Sequence, residues 1–80
     1  MARIEVLLPQ WGMGMNEGTL LSWHKAVGDE VKEDEPLAEI EAEKVEETLE
    51  SPATGTLAEI LVNEGDTVEV RTVVAVIETA

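Results

Sequence analysis

The sequence predicts one all-β domain made of two antiparallel sheets packed face to face, and three observations carry this prediction. Between residues 38 and 43, Ala38, Ile40 and Ala42 alternate with glutamates, the period-two pattern of a half-buried strand. No segment shows the 3.6-residue period of an amphipathic helix. The chain also repeats itself, because Gly55 stands 37 residues after Gly18 and begins the same Gly-Thr-Leu run.

The repeat extends over most of the chain at this one register. The matching positions are Gly18-Thr19-Leu20 with Gly55-Thr56-Leu57, Gly28-Asp29 with Gly65-Asp66, Val31 with Val68, Ala38 with Ala75, and Ile40-Glu41 with Ile77-Glu78. Two copies of a unit that cannot bury its own apolar face are expected to pack about an approximate two-fold axis. The two Gly-Asp pairs should then be equivalent turns.

The expected strands follow from alternation and from the breakers between them. In chain order they cover residues 3–8, 19–25, 37–42, 45–50, 56–62 and 73–78, with brief apolar points at Val31 and Val68. Pro9 closes the first strand, because proline lacks the donor that a strand ladder needs. The last strand is nearly continuous in apolar residues, which is typical of a strand covered on both faces.

Composition excludes several classes of function. The 80 residues include 44% hydrophobic ones, which argues against disorder despite a formal charge of −13. Cysteine is absent and histidine occurs once, so we expect no disulfide and no metal site. Five basic residues make nucleic acid and anionic membranes poor partners. We expect partners with basic surfaces, met in a salt-sensitive way, and a monomeric isolated domain.

A glycine-rich loop at Gln10–Asn16 carries three large apolar side chains, Trp11, Met13 and Met15. Such side chains are either packed under their loop or presented to a partner, and we expect at least one of them to be packed. The first strand starts at the terminal end of the domain and crosses its length. The loop should therefore lie beside the hairpin described next, at the end opposite the chain termini.

A hairpin is predicted around Lys44, because the alternating run that ends near Glu43 is followed by a second, weaker one from Val45. A two-residue turn would present the lysine at the tip on a rigid base. From the residues alone, two interpretations stand side by side. A lysine among carboxylates is usually a solvated member of a surface ion pair, and the alternative is an amine displayed for modification.

Two motifs extend the pattern. One is Glu41-Ala42-Glu43-Lys44-Val45 with the later Glu50-Ser51-Pro52 and Gly55, and the other is the segment from Leu8-Pro9 to Glu17-Gly18. Together they resemble the lipoyl domain, a module of 2-oxo acid dehydrogenase complexes whose lysine carries lipoic acid in amide linkage. The resemblance covers essentially the whole chain. It implies a flattened barrel-sandwich hybrid with internal pseudo-two-fold symmetry, and one lipoyl domain over residues 1–80.

The resemblance also implies a function. Lipoic acid on Lys44 would be a swinging arm that carries acyl groups and reducing equivalents between the active sites of a 2-oxo acid or acetoin dehydrogenase complex. The domain itself would be a non-catalytic carrier within a dihydrolipoamide acyltransferase, because the cofactor supplies the reactive sulfurs. Residues implied in recognition are Glu41, Glu43, Val45, Gly28, Gly55, Trp11 and Met13.

The partners implied by the resemblance are four. They are a thiamine-dependent dehydrogenase, the acyltransferase core, a flavoprotein dihydrolipoamide dehydrogenase, and the lipoate ligase or lipoyl/octanoyl transferase that attaches the cofactor. The expected location is the cytoplasm of a bacterium or archaeon, or the mitochondrial matrix of a eukaryote.

Three positions depart from the family pattern. Asp34 stands where glycine is usual, and aspartate tolerates the positive φ of such a turn. Glu43 replaces the usual aspartate before Lys44, which lengthens the side chain that a ligase would meet. Glu47 stands where a small or apolar residue is common, which leaves open how much of the second hairpin strand is buried.

Three other modules share parts of this pattern. A biotinyl carrier domain has the same fold but typically shows Met-Lys-Met at its tip, where this chain has Glu43-Lys44-Val45. A glycine-cleavage carrier protein would be longer and would have additional helices. A stand-alone barrel-sandwich binding module would need no lysine at the tip. The absence of both methionines beside Lys44 is the most discriminating local feature among these alternatives.

Overall fold

A computed structural model describes residues 2–42 and 45–79. The strands, in chain order, are β1 (Ala2–Leu7), β2 (Glu17–Trp23), β3 (Glu30–Val31), β4 (Pro36–Ala42), β5 (Val45–Glu50), β6 (Gly55–Ile60), β7 (Thr67–Glu69) and β8 (Val73–Thr79). None of the described segments forms a helix with the length and apolarity that a membrane crossing needs.

The strands form two four-stranded antiparallel sheets, which confirms the predicted architecture. One sheet has the order β1-β8-β6-β3 and the other the order β5-β4-β2-β7. Adding 37 to the residue numbers of β2, β3 and β4 gives β6, β7 and β8 within a residue at each end. Each sheet therefore mixes strands from both copies of the repeat, and the approximate two-fold axis exchanges the sheets.

The strand boundaries differ most from the sequence-based prediction in β2, and both β2 and β6 end two residues before their predicted ends, at Trp23 and Ile60. β2 begins at Glu17 rather than at residue 19, because Glu17 and Gly18 pair with Glu69 and Val68 of β7. The apolar point predicted at Val68 is thus a short strand in its own right. Its partner lies far away in the sequence, so neither the extension of β2 nor the pairing has a local signal.

The two Gly-Asp turns are equivalent in detail. Gly28 and Gly65 have φ values of +99° and +93°, a region that favours glycine. The N–H of Gly28 donates to the carbonyl of Leu57 at 2.8 Å, and the N–H of Gly65 donates to the carbonyl of Leu20 at 2.7 Å. Each turn is therefore fastened to a strand from the other copy of the repeat.

A second pair of turns repeats the same symmetry with non-glycine residues. Asp34 has φ +70°, which confirms the predicted retention of its turn, and its counterpart Arg71 has φ +68°. The N–H of Asp34 donates to the carbonyl of Ser51 at 2.8 Å, and that of Arg71 donates to the carbonyl of Leu8 at 2.7 Å. These bonds tie each turn to the residue that follows an edge strand.

The core lies between the inner faces of the two sheets. Its largest fully buried side chains are Leu8, Leu20, Leu37, Ile40, Leu57, Ile77, Val6, Val31 and Val74. In β8 the run from Val74 to Ile77 is entirely buried, as expected of a strand covered on both faces. Trp23 packs against the rim of this core, and its indole N–H donates to the carbonyl of Val62 at 2.9 Å.

Gly28→Ala and Gly65→Ala are each expected to destabilise the fold by about 1 kcal/mol or more, because alanine is strained at positive φ. No atom lies within 4 Å of a Cβ built on either glycine, so the cost is backbone strain without a clash. Denaturant unfolding of the two variants should give similar losses. A loss at one site and none at the other would contradict their equivalence.

Candidate functional site

The base of the predicted lysine hairpin is formed by β4 and β5. Their register pairs Ala42 with Val45, Glu41 with Glu46, and Ile40 with Glu47. Glu43 and Lys44, the predicted tip, connect the two strands in the sequence and lie outside the described residues. The structure therefore describes both strands up to the predicted modification site.

Glu41 lies on the outer face of its sheet and is exposed. Its antiparallel partners are Glu46 on one side and Thr19 on the other. Farther along the same sheet, Glu17 is directly opposite Glu69. Like charges at opposed positions oppose folding, so the acidic pairs do not stabilise the sheet. Their negative charge is available to a basic partner instead.

The Gln10–Asn16 loop folds around Met15, which is only 2% exposed. The N–H of Trp11 donates to the Met15 sulfur at 3.4 Å, and the Gln10 side-chain amide donates to the Met15 carbonyl at 3.2 Å. Trp11 is half-buried and packs against the core, whereas Met13 is 99% exposed. The expectation that at least one of the three side chains is packed is therefore confirmed by Met15 and Trp11. The side chain of Met13 is exposed to solvent.

A small cavity separates this loop from the hairpin strands. It has a volume of about 170 Å³ and is lined by Trp11, Gly12, Met15, Ala42, Val45 and Glu47. We call it the loop–hairpin cavity. Because its walls come from both segments, the loop lies beside the hairpin strands, as the topological argument predicts. The residues on either side of Glu43 and Lys44 are thus part of its lining.

The structure shows how far Glu47 is buried, which the sequence left open. It is half-buried and pairs with Ile40, on the face of β5 that also carries the buried Leu49. The strand therefore packs normally despite the carboxylate. The sequence did not predict that Glu47 and Met15 line a cavity. Strand alternation could have indicated the position of Glu47, because it places this residue on the same face as Leu49.

Gly28 and Gly55, which the resemblance implies in recognition, lie at the end of the fold away from the hairpin strands. Gly55 precedes Thr56, which pairs with Glu78, and Ala2 pairs with Thr79 at the same end of that sheet. At its opposite end β1 leads to Leu8, whose side chain lies 3.4 Å from a Cβ built on Gly18. Gly18 precedes Thr19, the partner of Glu41, so this is the hairpin end of the domain. At about 3.3 Å per residue, β1 separates the two ends by roughly 17–20 Å.

Both glycines have backbone roles at that far end. Gly28 forms a turn at positive φ, as described above, and its N–H is bonded to Leu57, which pairs with Ile77. A Cβ on Gly55 would overlap the Glu78 carbonyl and come within 3.1 Å of the Ile77 side chain. The resemblance grouped these residues by their places in the family pattern. In the structure, Trp11, Glu41 and Val45 lie near the hairpin and the glycines do not.

A comparison with protein families identifies the family to which this two-sheet domain belongs. A family model of biotin and lipoyl attachment domains, described as biotin-requiring enzyme, matches residues 4–77. The chain belongs to the biotin/lipoyl attachment family. The family match and the two four-stranded antiparallel sheets together confirm the predicted resemblance and its barrel-sandwich fold.

Relatives of this attachment domain are acyltransferase components of dehydrogenase complexes and of an acetoin cleaving system. The chain is 47% identical over 74 residues to the dihydrolipoyllysine-residue acetyltransferase of a pyruvate dehydrogenase complex from Corynebacterium glutamicum, covering 92% of this chain and 11% of that protein. It is 40% identical over 74 residues to the acetyltransferase of the acetoin cleaving system from Bacillus subtilis, with 92% and 19% covered.

A third relative is the succinyltransferase of a 2-oxoglutarate dehydrogenase complex from Staphylococcus saprophyticus, 44% identical over 73 residues, with 91% and 17% covered. The chain thus spans less than a fifth of the length of these relatives. All three are dihydrolipoyllysine-residue acyltransferases, which favours a lipoyl over a biotinyl attachment domain.

Proposed function

We propose that this chain is the lipoyl carrier domain of a dihydrolipoyllysine acyltransferase, with lipoic acid in amide linkage to Lys44. The observation that carries the proposal is the register of β4 and β5. Ala42 pairs with Val45, so the paired hairpin strands extend to the two residues that flank Glu43 and Lys44, the lysine of the lipoyl motif. Residues 1–80 act as one such domain.

The protein's part in the chemistry is presentation. When attached, the dithiolane supplies the sulfurs that accept an acyl group and two electrons and later release both. The chain holds the attachment point at one end of a rigid sandwich, while Ala2 and Thr79 are paired at the other end. The domain contributes no catalytic residue under this proposal, because the active sites belong to its partners and the cofactor carries the reaction.

The proposed partners are those of a 2-oxo acid or acetoin dehydrogenase complex. They are the thiamine-dependent dehydrogenase, the acyltransferase core, the flavoprotein dihydrolipoamide dehydrogenase, and the enzyme that attaches lipoate. The proposed place of action is the bacterial or archaeal cytoplasm, or the mitochondrial matrix. The acidic outer face of the β5-β4-β2-β7 sheet supports the expectation that these partners present basic surfaces, because complementary potentials steer association.

The test is the intact mass of the 80-residue chain after incubation with lipoate, ATP and a lipoate ligase. We expect a gain of one lipoyl group on every molecule. Incubation with biotin, ATP and a biotin ligase serves as the control and should leave the mass unchanged. Biotinylation without lipoylation would establish the biotinyl alternative, and no gain with either enzyme would favour a stand-alone binding module.

Glu41→Gln is expected to slow lipoylation while changing the free energy of unfolding by less than about 0.5 kcal/mol. The reason is that Glu41 is exposed and adjoins the hairpin tip without contributing to the core. Glu46→Gln is the matched control, because Glu46 is the directly opposed carboxylate. Equal slowing in both variants would indicate a general charge effect. A destabilisation well above 1 kcal/mol would make Glu41 structural.

Replacing Trp11 and Met13 together by alanine is expected to spare lipoylation but to reduce reductive acylation by the cognate dehydrogenase. Met13 is almost fully exposed beside the half-buried Trp11, and such a pair can form a contact surface for a partner. The single variant Met13→Ala separates contact from packing, because Met13 has no core contact to lose. Equal acylation rates in all variants would leave the loop with a packing role.

A further inference from the structure

We propose that the loop–hairpin cavity is a docking site for the dithiolane ring of the lipoyl group on Lys44. The arm would then alternate between a docked position against its own domain and an extended position that reaches partner enzymes. This inference rests on the proposed function. It adds a binding site formed by this chain's own residues, whereas the carrier function alone requires only an attachment point.

The volume of the cavity favours a small ring as its ligand. Its volume is about 170 Å³, close to the roughly 150 Å³ apolar cavity that binds benzene in another protein. Sites for drug-sized ligands begin at about 300 Å³. A five-membered ring with two sulfurs falls within the first range. A nucleotide, a flavin or an extended peptide does not.

The lining suits an uncharged, sulfur-containing group. Met15 and Trp11 provide a thioether and an aromatic ring, and sulfur–aromatic contacts are favourable. Ala42 and Val45 complete the apolar part of the wall. The remaining side chain, Glu47, is a half-buried carboxylate that repels anions, so phosphate and carboxylate groups are poor occupants. A neutral dithiolane meets no such repulsion.

The residues on both sides of the loop–hairpin cavity are also held in position by backbone contacts. The N–H of Trp11 is bonded to the Met15 sulfur, and the N–H of Met15 donates to the carbonyl of Gly12 at 3.2 Å. Ala42 and Val45 are paired at the end of the β4–β5 ladder. Because both walls are held by hydrogen bonds, little ordering is needed when the ring enters. Such preorganisation lowers the cost of binding.

The arm has an advantage over any occupant from solution. Val45, a lining residue, is covalently bonded to Lys44. A short flexible tether gives a ligand an effective concentration in the mM range. Even a weak preference for the cavity, with an intrinsic dissociation constant near 1 mM, therefore keeps the ring docked for a substantial share of the time. A side chain of a partner protein has no such tether.

The test compares NMR spectra of the 80-residue chain before and after lipoylation. We expect the Trp11 indole and Met15 methyl signals to shift, with short-range dipolar contacts between these groups and the dithiolane protons. The indole signal of Trp23 is the internal control, because its N–H is bonded to Val62 and Trp23 does not line the cavity. It should not move.

A filled cavity provides the second variant. Ala42→Leu places a larger side chain in the lining and is expected to abolish the contacts, while the mass still shows full lipoylation. If this variant does not fold, the comparison within the parent chain still decides the question. Full lipoylation without contacts to Trp11 or Met15 would overturn the docking proposal, as would contacts that persist in a folded Ala42→Leu variant. Failure to gain the lipoyl mass would instead overturn the proposed function.

Discussion

Lys44→Arg is expected to abolish lipoylation completely while leaving the fold intact. Arginine keeps the positive charge, but its guanidinium stays protonated and is not available as the amine that the amide bond requires. The free energy of unfolding should change by less than about 0.5 kcal/mol, as for other surface substitutions. Intact mass after treatment with lipoate ligase measures the first result, and denaturant unfolding measures the second.

Lys25→Arg and Lys32→Arg are the matched controls, and both should be lipoylated like the parent chain. The Lys25 ammonium lies 3.1 Å from a Glu35 carboxylate oxygen, and Lys32 adjoins the acidic turn that contains Asp34. Neither lysine lies in a motif resembling the lipoyl tip. Lipoate found by peptide mapping on Lys25 or Lys32 of the parent chain would overturn the assignment to Lys44.

Gly55→Ala is expected to cost about 3 kcal/mol or more, the largest loss of stability among the substitutions considered. A Cβ at this position would overlap the carbonyl of Glu78 and lie only 2.9 Å from its carbonyl carbon. These are backbone atoms, so the whole of β8 would have to shift, and overpacking of this kind costs about 1–3 kcal/mol or more. In an 80-residue domain, 3 kcal/mol lowers Tm by roughly 12–24 °C.

Gly18→Ala tests the same position in the other half of the repeat. There the nearest atom to an added Cβ is a side-chain methyl of Ile40, at 2.8 Å, followed by side-chain atoms of Leu8 and Met15. Side chains yield more readily than backbone, so we expect a loss of about 1–2 kcal/mol. A Gly18→Ala variant less stable than Gly55→Ala would contradict the explanation by backbone overlap.

The sequence predicted those features that have a local or repetitive signal. The alternation around Ile40 and the 37-residue repeat were sufficient for the two sheets and for the equivalence of the turns at Gly28 and Gly65. The positive φ of Asp34 was expected from the resemblance, because glycine is usual at this position in the family and aspartate tolerates that conformation. Its counterpart Arg71 was missed, because arginine gives no sign of a left-handed backbone and only the symmetry would have indicated it.

The candidate site was predictable in part for the same reason. The motif around Lys44 and the crossing of β1 placed the Gln10–Asn16 loop beside the hairpin. The cavity between them was not foreseen, because its walls combine residues that are about 30 positions apart in the sequence. The position of Gly55 at the far end was not predictable either, because the pairing of β6 with β8 has no local signal.

Each Gly-Asp turn is hydrogen-bonded to a strand from the other copy of the repeat, and this has a consequence for synthesis on the ribosome. A growing chain that has exposed residues 1–50 already contains Lys44, but β2 still lacks its neighbour β7, and Gly28 still lacks the Leu57 carbonyl that accepts its N–H. The hairpin at that stage has no second sheet against which to bury Leu37 and Ile40. We therefore expect an attaching enzyme that requires the folded hairpin to act only after the last strand has emerged, so that modification reports completed folding.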